Sequence, residues 1–261
     1  MDMINIAGYK FVSIDEPEMW RALMLERCQN LELKGSVVLA TEGVNVFLAG
    51  SAENVNSFIS FVREDDRFSQ KLQNIEFKES FSESQPFRKL VVRVAKEIIT
   101  MRMPIIRPEQ QRAASVQAQT LKAWLDKGLD DDGREVVLID TRNAFEVAIG
   151  TFEDAVNFDI ERFSEFPEQV QRFASEQGAD LSDKTIVTFC TGGIRCEKAA
   201  LFMNQLSLPR VFQLDGGILK YFEEAGGTHW RGECFVFDER VALDPQLNAT
   251  RNQYRTSKTE K

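Results

Sequence analysis

The chain has 261 residues and a formal net charge of −9, with 43% hydrophobic and 28% charged residues. That length and composition suit two globular domains with real cores, and exclude collagen-like, disulfide-scaffold or wholly disordered architectures. The acidic balance excludes bulk electrostatic attraction to nucleic acid, so such a partner needs a local basic patch.

No apolar run approaches the roughly 18–20 residues of a membrane span. The opening Met-Asp-Met-Ile-Asn has no apolar signal region. Four unevenly spaced cysteines do not read as a secreted disulfide framework. The expectation is a cytoplasmic protein with reduced thiols. The single histidine, His229, argues against a His-centred triad or a multi-His metal site, and no metal or organic cofactor is called for.

Taken in chain order, Gly8–Ile14 reads as a strand, and Pro17 opens a helix to about Leu33. The apolar runs Ser36–Ala40 and Val44–Leu48 flank Thr41-Glu42-Gly43 as a hairpin. Ser51 caps a helix whose apolar face is Val55, Phe58, Ile59 and Val62. Ile75–Lys78 and Leu90–Val94 complete a strand, helix, strand, strand, helix, strand order. This order predicts a ferredoxin-like (acylphosphatase-like) α+β domain over residues 1–100.

Residues 101–118, with Pro104 and Pro108, read as a connector. From 119 to 243 short apolar strands (Val136–Ile139, Thr185–Phe189, Val211–Leu214) alternate with helical stretches (Ala144–Ile149, Pro167–Glu176, Glu197–Leu206, Ile218–Glu224). The pattern predicts an α/β domain with a parallel sheet covered on both faces. Sites in such sheets lie at strand carboxyl ends, where Asp140, Cys190 and Asp215 fall. Residues 244–261 read as a polar, mobile tail holding Arg251, Arg255, Lys258 and Lys261.

The sharpest chemical feature is Cys190-Thr191-Gly192-Gly193-Ile194-Arg195-Cys196. A buried strand delivers Cys190 into a tight loop that a helix follows at once. Gly192 and Gly193 remove Cβ atoms where the backbone must curl toward the thiol, and successive amides in such a curl form an anion-binding nest. The helix N-terminus and Arg195 add positive charge. Each favours the thiolate, which is the nucleophile. An inert buried cysteine is the plainer reading, and the glycines and Arg195 weigh against it.

Cys196, one turn into the helix, reads either as a resolving thiol for an oxidised Cys190 or as buried filler. Cys28 and Cys234 read as core. His229 beside Trp230 reads as a base-stacking pair or as ordinary surface or core. Between Pro86 and Pro108, Arg88, Lys89, Arg93, Lys96, Arg102 and Arg107 face a single acid, Glu97. They read as solvated positions or as phosphate contacts.

This segment resembles the rhodanese domain through Ile139-Asp-Thr-Arg-Asn143, Phe145-Glu146, Ile149-Gly-Thr151, Ala155-Val-Asn157, the Cys190 loop and Leu214-Asp-Gly-Gly-Ile218. The resemblance implies that Cys190 carries the covalent chemistry, that residues 191–195 cradle it, and that Asp140 and Arg142 support the domain. Arg195 sits five residues after Cys190, which fits a sulfur-transfer loop rather than the longer Cys-x5-Arg phosphatase loop.

A narrower resemblance covers nearly the whole chain. CTGGIRCEKA (190–199), LKGSVVLATEGVN (33–45), PFRKL (86–90), FQLDGGIL (212–219) and CFVFDERVAL (234–243) together resemble the TrhO (YceA) family of tRNA uridine hydroxylases. The resemblance implies hydroxylation of the wobble uridine at C5, with molecular oxygen as co-substrate and the tRNA anticodon loop as partner, and neither DNA nor membrane. It also shifts the reading of the basic stretch toward phosphate contact.

Two departures are visible. Val46-Phe47 replaces small residues after the Glu-Gly-x-Asn stretch, and no cysteine follows Cys234, so a structural zinc does not carry over. Two mechanisms stay open: Cys190 attacks C6 of the base, or it carries the oxygen first. A sulfurtransferase is the rival activity, and a partner-binding module without catalysis is the rival of another class.

Overall fold

The structure is a computed structural model that describes residues 3–208 and 210–250. The tail cations Arg251, Arg255, Lys258 and Lys261 lie outside the described residues.

The first domain runs β1 (Met3–Phe11), α1 (Pro17–Asn30), β2 (Lys34–Ala40), β3 (Gly43–Gly50), α2 (Ala52–Glu64), β4 (Lys78–Ser82) and β5 (Leu90–Val94). Its sheet order is β4-β1-β3-β2-β5. The first four strands are antiparallel neighbours in ferredoxin-like order, and β5 adds a parallel edge beside β2. The hairpin at Thr41-Glu42 and the Ser51 cap form as the residue types predict, with Ser51 Oγ accepting from the Asn54 amide at 3.3 Å. Val55, Phe58, Ile59 and Val62 are the buried face of α2. Each contributes on the order of 1.5–3 kcal/mol by leaving water. The last strand of the motif forms at 78–82, later than the apolar Ile75–Lys78 run; Ile75 instead fills the core.

The second domain runs β6 (Ala114–Val116), α3 (Ala118–Lys127), β7 (Val136–Asp140), α4 (Ala144–Val147), β8 (Gly150–Phe152), β9 (Val156–Asn157), α5 (Phe166–Leu181), β10 (Thr185–Phe189), α6 (Ile194–Gln205), β11 (Val211–Leu214) and α7 (Gly217–Ala225). The short strands β12 (Trp230–Gly232), β13 (Cys234–Phe235) and β14 (Ala242–Leu243) follow. The main sheet has the order β6-β11-β10-β7-β9, parallel throughout. β10 is buried at every residue, as its run of apolar side chains and threonines requires.

The stretch read as a connector is packed structure. Met101, Ile106 and Ala113 join the core around α5 and α6, and β6 forms an edge of the parallel sheet. Its prolines break regular structure without freeing the chain, because its apolar side chains have a surface to cover.

The domains are locked together along α6. Ile194 packs with Phe11, Ala40 and Ile98. Lys198, 1% exposed, donates to Glu42 at 2.9 Å, Glu97 at 2.7 Å and the Ile99 carbonyl at 3.0 Å. A buried ammonium with three acceptors uses every donor it has.

Candidate active site

Asp140, Cys190 and Asp215 all stand at carboxyl ends of neighbouring parallel strands. Asp140 does not face a substrate. Its carboxylate is fully buried and takes Arg142 at 2.7 Å, while Arg142 also donates to the Gly150 carbonyl at 2.6 Å. This pair braces the loop after β7.

Cys190 leaves β10 into a loop whose Gly193 has φ of +101°, a conformation that side-chain-bearing residues rarely adopt. The Gly193 amide donates to Cys190 Sγ at 3.1 Å. Gly192 has no such requirement: a Cβ there meets open space. The glycine pair is therefore one conformational necessity and one open position. The N-terminus of α7 clamps the loop from outside. Ile218 N–H donates to the Cys190 carbonyl at 2.9 Å and Leu219 N–H to the Thr191 carbonyl at 3.1 Å. Gly217 makes this approach possible, since a Cβ there would sit 2.3 Å from the Cys190 oxygen.

Burial opposes ionisation of Cys190. It is outweighed by hydrogen bonding from the Cys196 thiol, the Arg195 charge and the Cys196 and Arg195 amides, which set the Cys190 thiol well below its ordinary range. The two sulfurs are 3.9 Å apart. Burial and the neighbouring Cys190 drive the Cys196 thiol the opposite way. The opposed shifts favour charge on Cys190 over charge on Cys196. Cys28 and Cys234 are pushed up to about 12 by burial.

Arg195 is buried and bidentate to Glu146, at 2.5 and 2.7 Å. Glu146 also accepts from the Asn143 amide at 3.1 Å, so the first turn of α4 fixes the carboxylate that fixes the guanidinium. Burial pushes Glu146 up, but Arg195 holds it below the usual carboxylate range.

A cleft of about 910 Å³ opens between the domains and reaches Cys190, Thr191, Gly192, Ile194 and Arg195. Its walls include Tyr9, Phe47, Phe77, Phe87 and Phe237. Cys196 lies behind the loop, buried, its Sγ 3.0 Å from the Gly193 carbonyl oxygen. Thr191 Oγ1 is buried at the cleft with no hydrogen-bond partner among the described residues.

The six basic residues singled out in the sequence are all exposed, but only Arg102 lines the cleft. Arg88 pairs with Glu239 at 2.9 Å and Arg107 with Glu109 at 2.8 Å. Lys89, Arg93 and Lys96 stand elsewhere on the surface. The cleft instead gathers Lys10 and Arg162, distant from that stretch in sequence, and Arg112, just beyond its end. His229 pairs with Asp126 at 2.8 Å, and Trp230 packs in the core against Phe152 and Phe222. Among the described residues, no group of three or more His, Cys, Asp or Glu could hold a metal ion.

Sequence reasoning missed Tyr9, Lys78, Glu197 and Lys198. Tyr9 donates to Glu197 at 3.1 Å, and Arg112 meets the same carboxylate at 2.8 Å. Glu146 carried a signal that was available: Asn143 and Glu146 stand at capping-box spacing.

Residues 3–98 match the UPF0176 acylphosphatase like domain family, and residues 118–224 match the rhodanese-like domain family. A Burkholderia vietnamiensis protein described as a tRNA uridine(34) hydroxylase is 55% identical over 250 residues, covering 96% of this chain and 87% of its own. The chain belongs to the tRNA uridine(34) hydroxylase family. Family members from Burkholderia lata (55% over 252 residues, 97% of this chain and 87% of theirs) and Burkholderia mallei (55% over 250, 96% and 82%) give the same relation. The α/β fold class read from the sequence, a rhodanese-like domain preceded by a smaller α+β domain, stands.

Proposed function

We propose that this chain hydroxylates the wobble uridine of tRNA at C5, with molecular oxygen as co-substrate and Cys190 as nucleophile. The observation that carries the reading is family membership across 96% of the chain together with an intact, charge-stabilised cysteine at the floor of a two-domain cleft.

The cleft suits a base turned out of a single-stranded loop, which aromatic walls stack and cations approach through its phosphates. Lys10, Arg102 and Arg162 line it with no ion-pair partner among the described residues. They supply local positive charge on a chain of net charge −9.

Chemically, the Cys190 thiolate adds to C6 of the uracil ring, and the electron pair moves onto C5. C5 then takes one oxygen atom from the activated donor. Loss of the C5 proton and departure of the thiolate restore the ring. With molecular oxygen as donor, the second oxygen atom leaves as water, its two electrons and two protons supplied by an external dithiol reductant that is oxidised to a disulfide. Arg195 and the loop amides stabilise the thiolate at both ends of this cycle. The place of action is the cytoplasm, where tRNA resides; among the described residues no helix is long and apolar enough to cross a membrane.

The test is nucleoside mass spectrometry of bulk tRNA from a host lacking the activity, supplied with wild type or Cys190→Ser. 5-Hydroxyuridine derivatives are expected with wild type alone. Their appearance with Cys190→Ser would overturn the role of the thiolate. Their absence with both, alongside thiosulfate turnover by the purified protein, would replace hydroxylation with sulfur transfer.

A further inference from the structure

The first domain reaches into the cysteine loop at one point of unusual leverage. Lys78, on β4, donates through Nζ to the Gly192 carbonyl at 2.9 Å and also to the Gly216 carbonyl. Gly192 O and Gly193 N belong to one peptide unit. A planar trans peptide places its N–H opposite its C=O, so fixing the oxygen fixes where the hydrogen points. That hydrogen points at Cys190 Sγ, 3.1 Å from the nitrogen.

We propose that Lys78 is a positioning residue for the Cys190 thiolate, acting by locking the Gly192–Gly193 peptide so that its N–H stays on the sulfur. The proposal rests on the reading of Cys190 as the nucleophile.

Three features make a lock necessary. Two consecutive glycines leave this peptide free to rotate, since neither has a side chain to resist it. Gly192 is open on the side where a Cβ would stand, so no neighbouring wall holds it. The α7 clamp grips the Cys190 and Thr191 carbonyls but not the Gly192 carbonyl. Lys78 supplies the missing grip. It also ties the Gly216 carbonyl, just before α7, to the same point. A cation on the carbonyl polarises the amide and strengthens the hydrogen bond that the N–H donates.

The groups facing this ammonium are Cys190, Cys196, Glu223 and Asp215. Asp215 already has Lys220 at 2.5 Å. Facing Cys190 are Cys196, Arg195, Tyr9 and Lys78. Burial holds the Lys78 ammonium below its usual range against the pull of these anions, and Arg195, the other cation acting on the sulfur, is shared with Glu146.

The experiment follows alkylation of Cys190 by iodoacetamide in the full chain across pH, with the modified peptide identified by mass spectrometry. It needs neither tRNA nor oxygen, so it stands apart from the hydroxylation test. Lys78→Met is expected to move the midpoint of the Cys190 profile upward by about one pH unit, a roughly tenfold slower reaction at pH values below both midpoints. Lys78→Arg, which keeps the cation and its donors, is expected to restore most of the rate. Lys198→Met weakens the same domain interface away from the loop, and is expected to lower the melting temperature while leaving the midpoint in place. An unmoved midpoint in a folded Lys78→Met protein overturns the proposal. So does an equal shift in Lys198→Met, which would make Lys78 one more interdomain tie.

Discussion

Glu146 holds Arg195 through two hydrogen bonds, at 2.5 and 2.7 Å, with both side chains closed to water. A buried bidentate pair of this kind is asymmetric in its energetics: the intact pair adds modestly, while removing one partner strands a charge. Glu146→Ala is expected to destabilise the chain by about 3–5 kcal/mol in urea unfolding at neutral pH.

The same pair has a pH signature. Arg195 holds the Glu146 carboxylate below its usual range, so its pKa is lower folded than unfolded. The stability it contributes is fully present above the unfolded value of about 4.3 and is lost as pH falls through the folded value. The stability gap between wild type and Glu146→Gln should therefore narrow below about pH 4. A gap that stays constant from pH 7 to pH 3 would contradict the pairing.

The loop glycines should separate on substitution. Gly193→Ala forces a side chain into φ of +101° with Tyr9 Oη at 3.0 Å from the new Cβ, and is expected to lose about 1–2 kcal/mol. Gly192→Ala meets nothing within 4 Å and should leave thermal stability close to wild type. Its methyl group stands at the cleft, so any effect belongs to substrate binding.

Dilute hydrogen peroxide should convert Cys190 to a sulfenate. The Cys196 thiol, 3.9 Å away, then displaces water to close a disulfide. Peptide mapping is expected to find the Cys190–Cys196 link. In Cys196→Ser, sulfinic acid should accumulate on Cys190. Cys28 and Cys234, buried and pushed up to about 12, should stay unmodified. Accumulation of a stable sulfenate in wild type would show that Cys196 does not resolve it.

Charge removal distinguishes the cleft from the surface stretch. Arg102→Ala and Arg162→Ala, both on the cleft, are expected to weaken tRNA binding and each to lower the salt slope by about 0.7–0.9. Arg93→Ala, on the outer surface, should change neither by a comparable amount.

Much of the fold was legible because strand and helix periods are local. β10 and β11 begin and end where their apolar runs do, and Ser51 caps α2 as its chemistry suggests. β4 was misplaced because the edge strand Lys78–Ser82 is mostly polar, and its pairing to β1 is not written in its own residues. The cysteine loop was legible for the same reason as the strands, being seven consecutive residues. Lys78 was not, since it meets Gly192 across 114 residues and a lysine on a polar strand carries no sign of its destination. The basic stretch misled for the converse reason: nearness in sequence is not convergence in space, and five of its six cations do not line the cleft.

Lys198 and Glu97 are 101 residues apart. During synthesis at about 5–20 residues per second, some 5–20 s separate their emergence. For that interval the finished first domain carries Glu42 and Glu97 side by side with no cation between them. The arrival of Lys198, two residues after Cys196 on α6, ends the interval. The first turns of the helix that follows the Cys190 loop thus also bring the cation that these two carboxylates share.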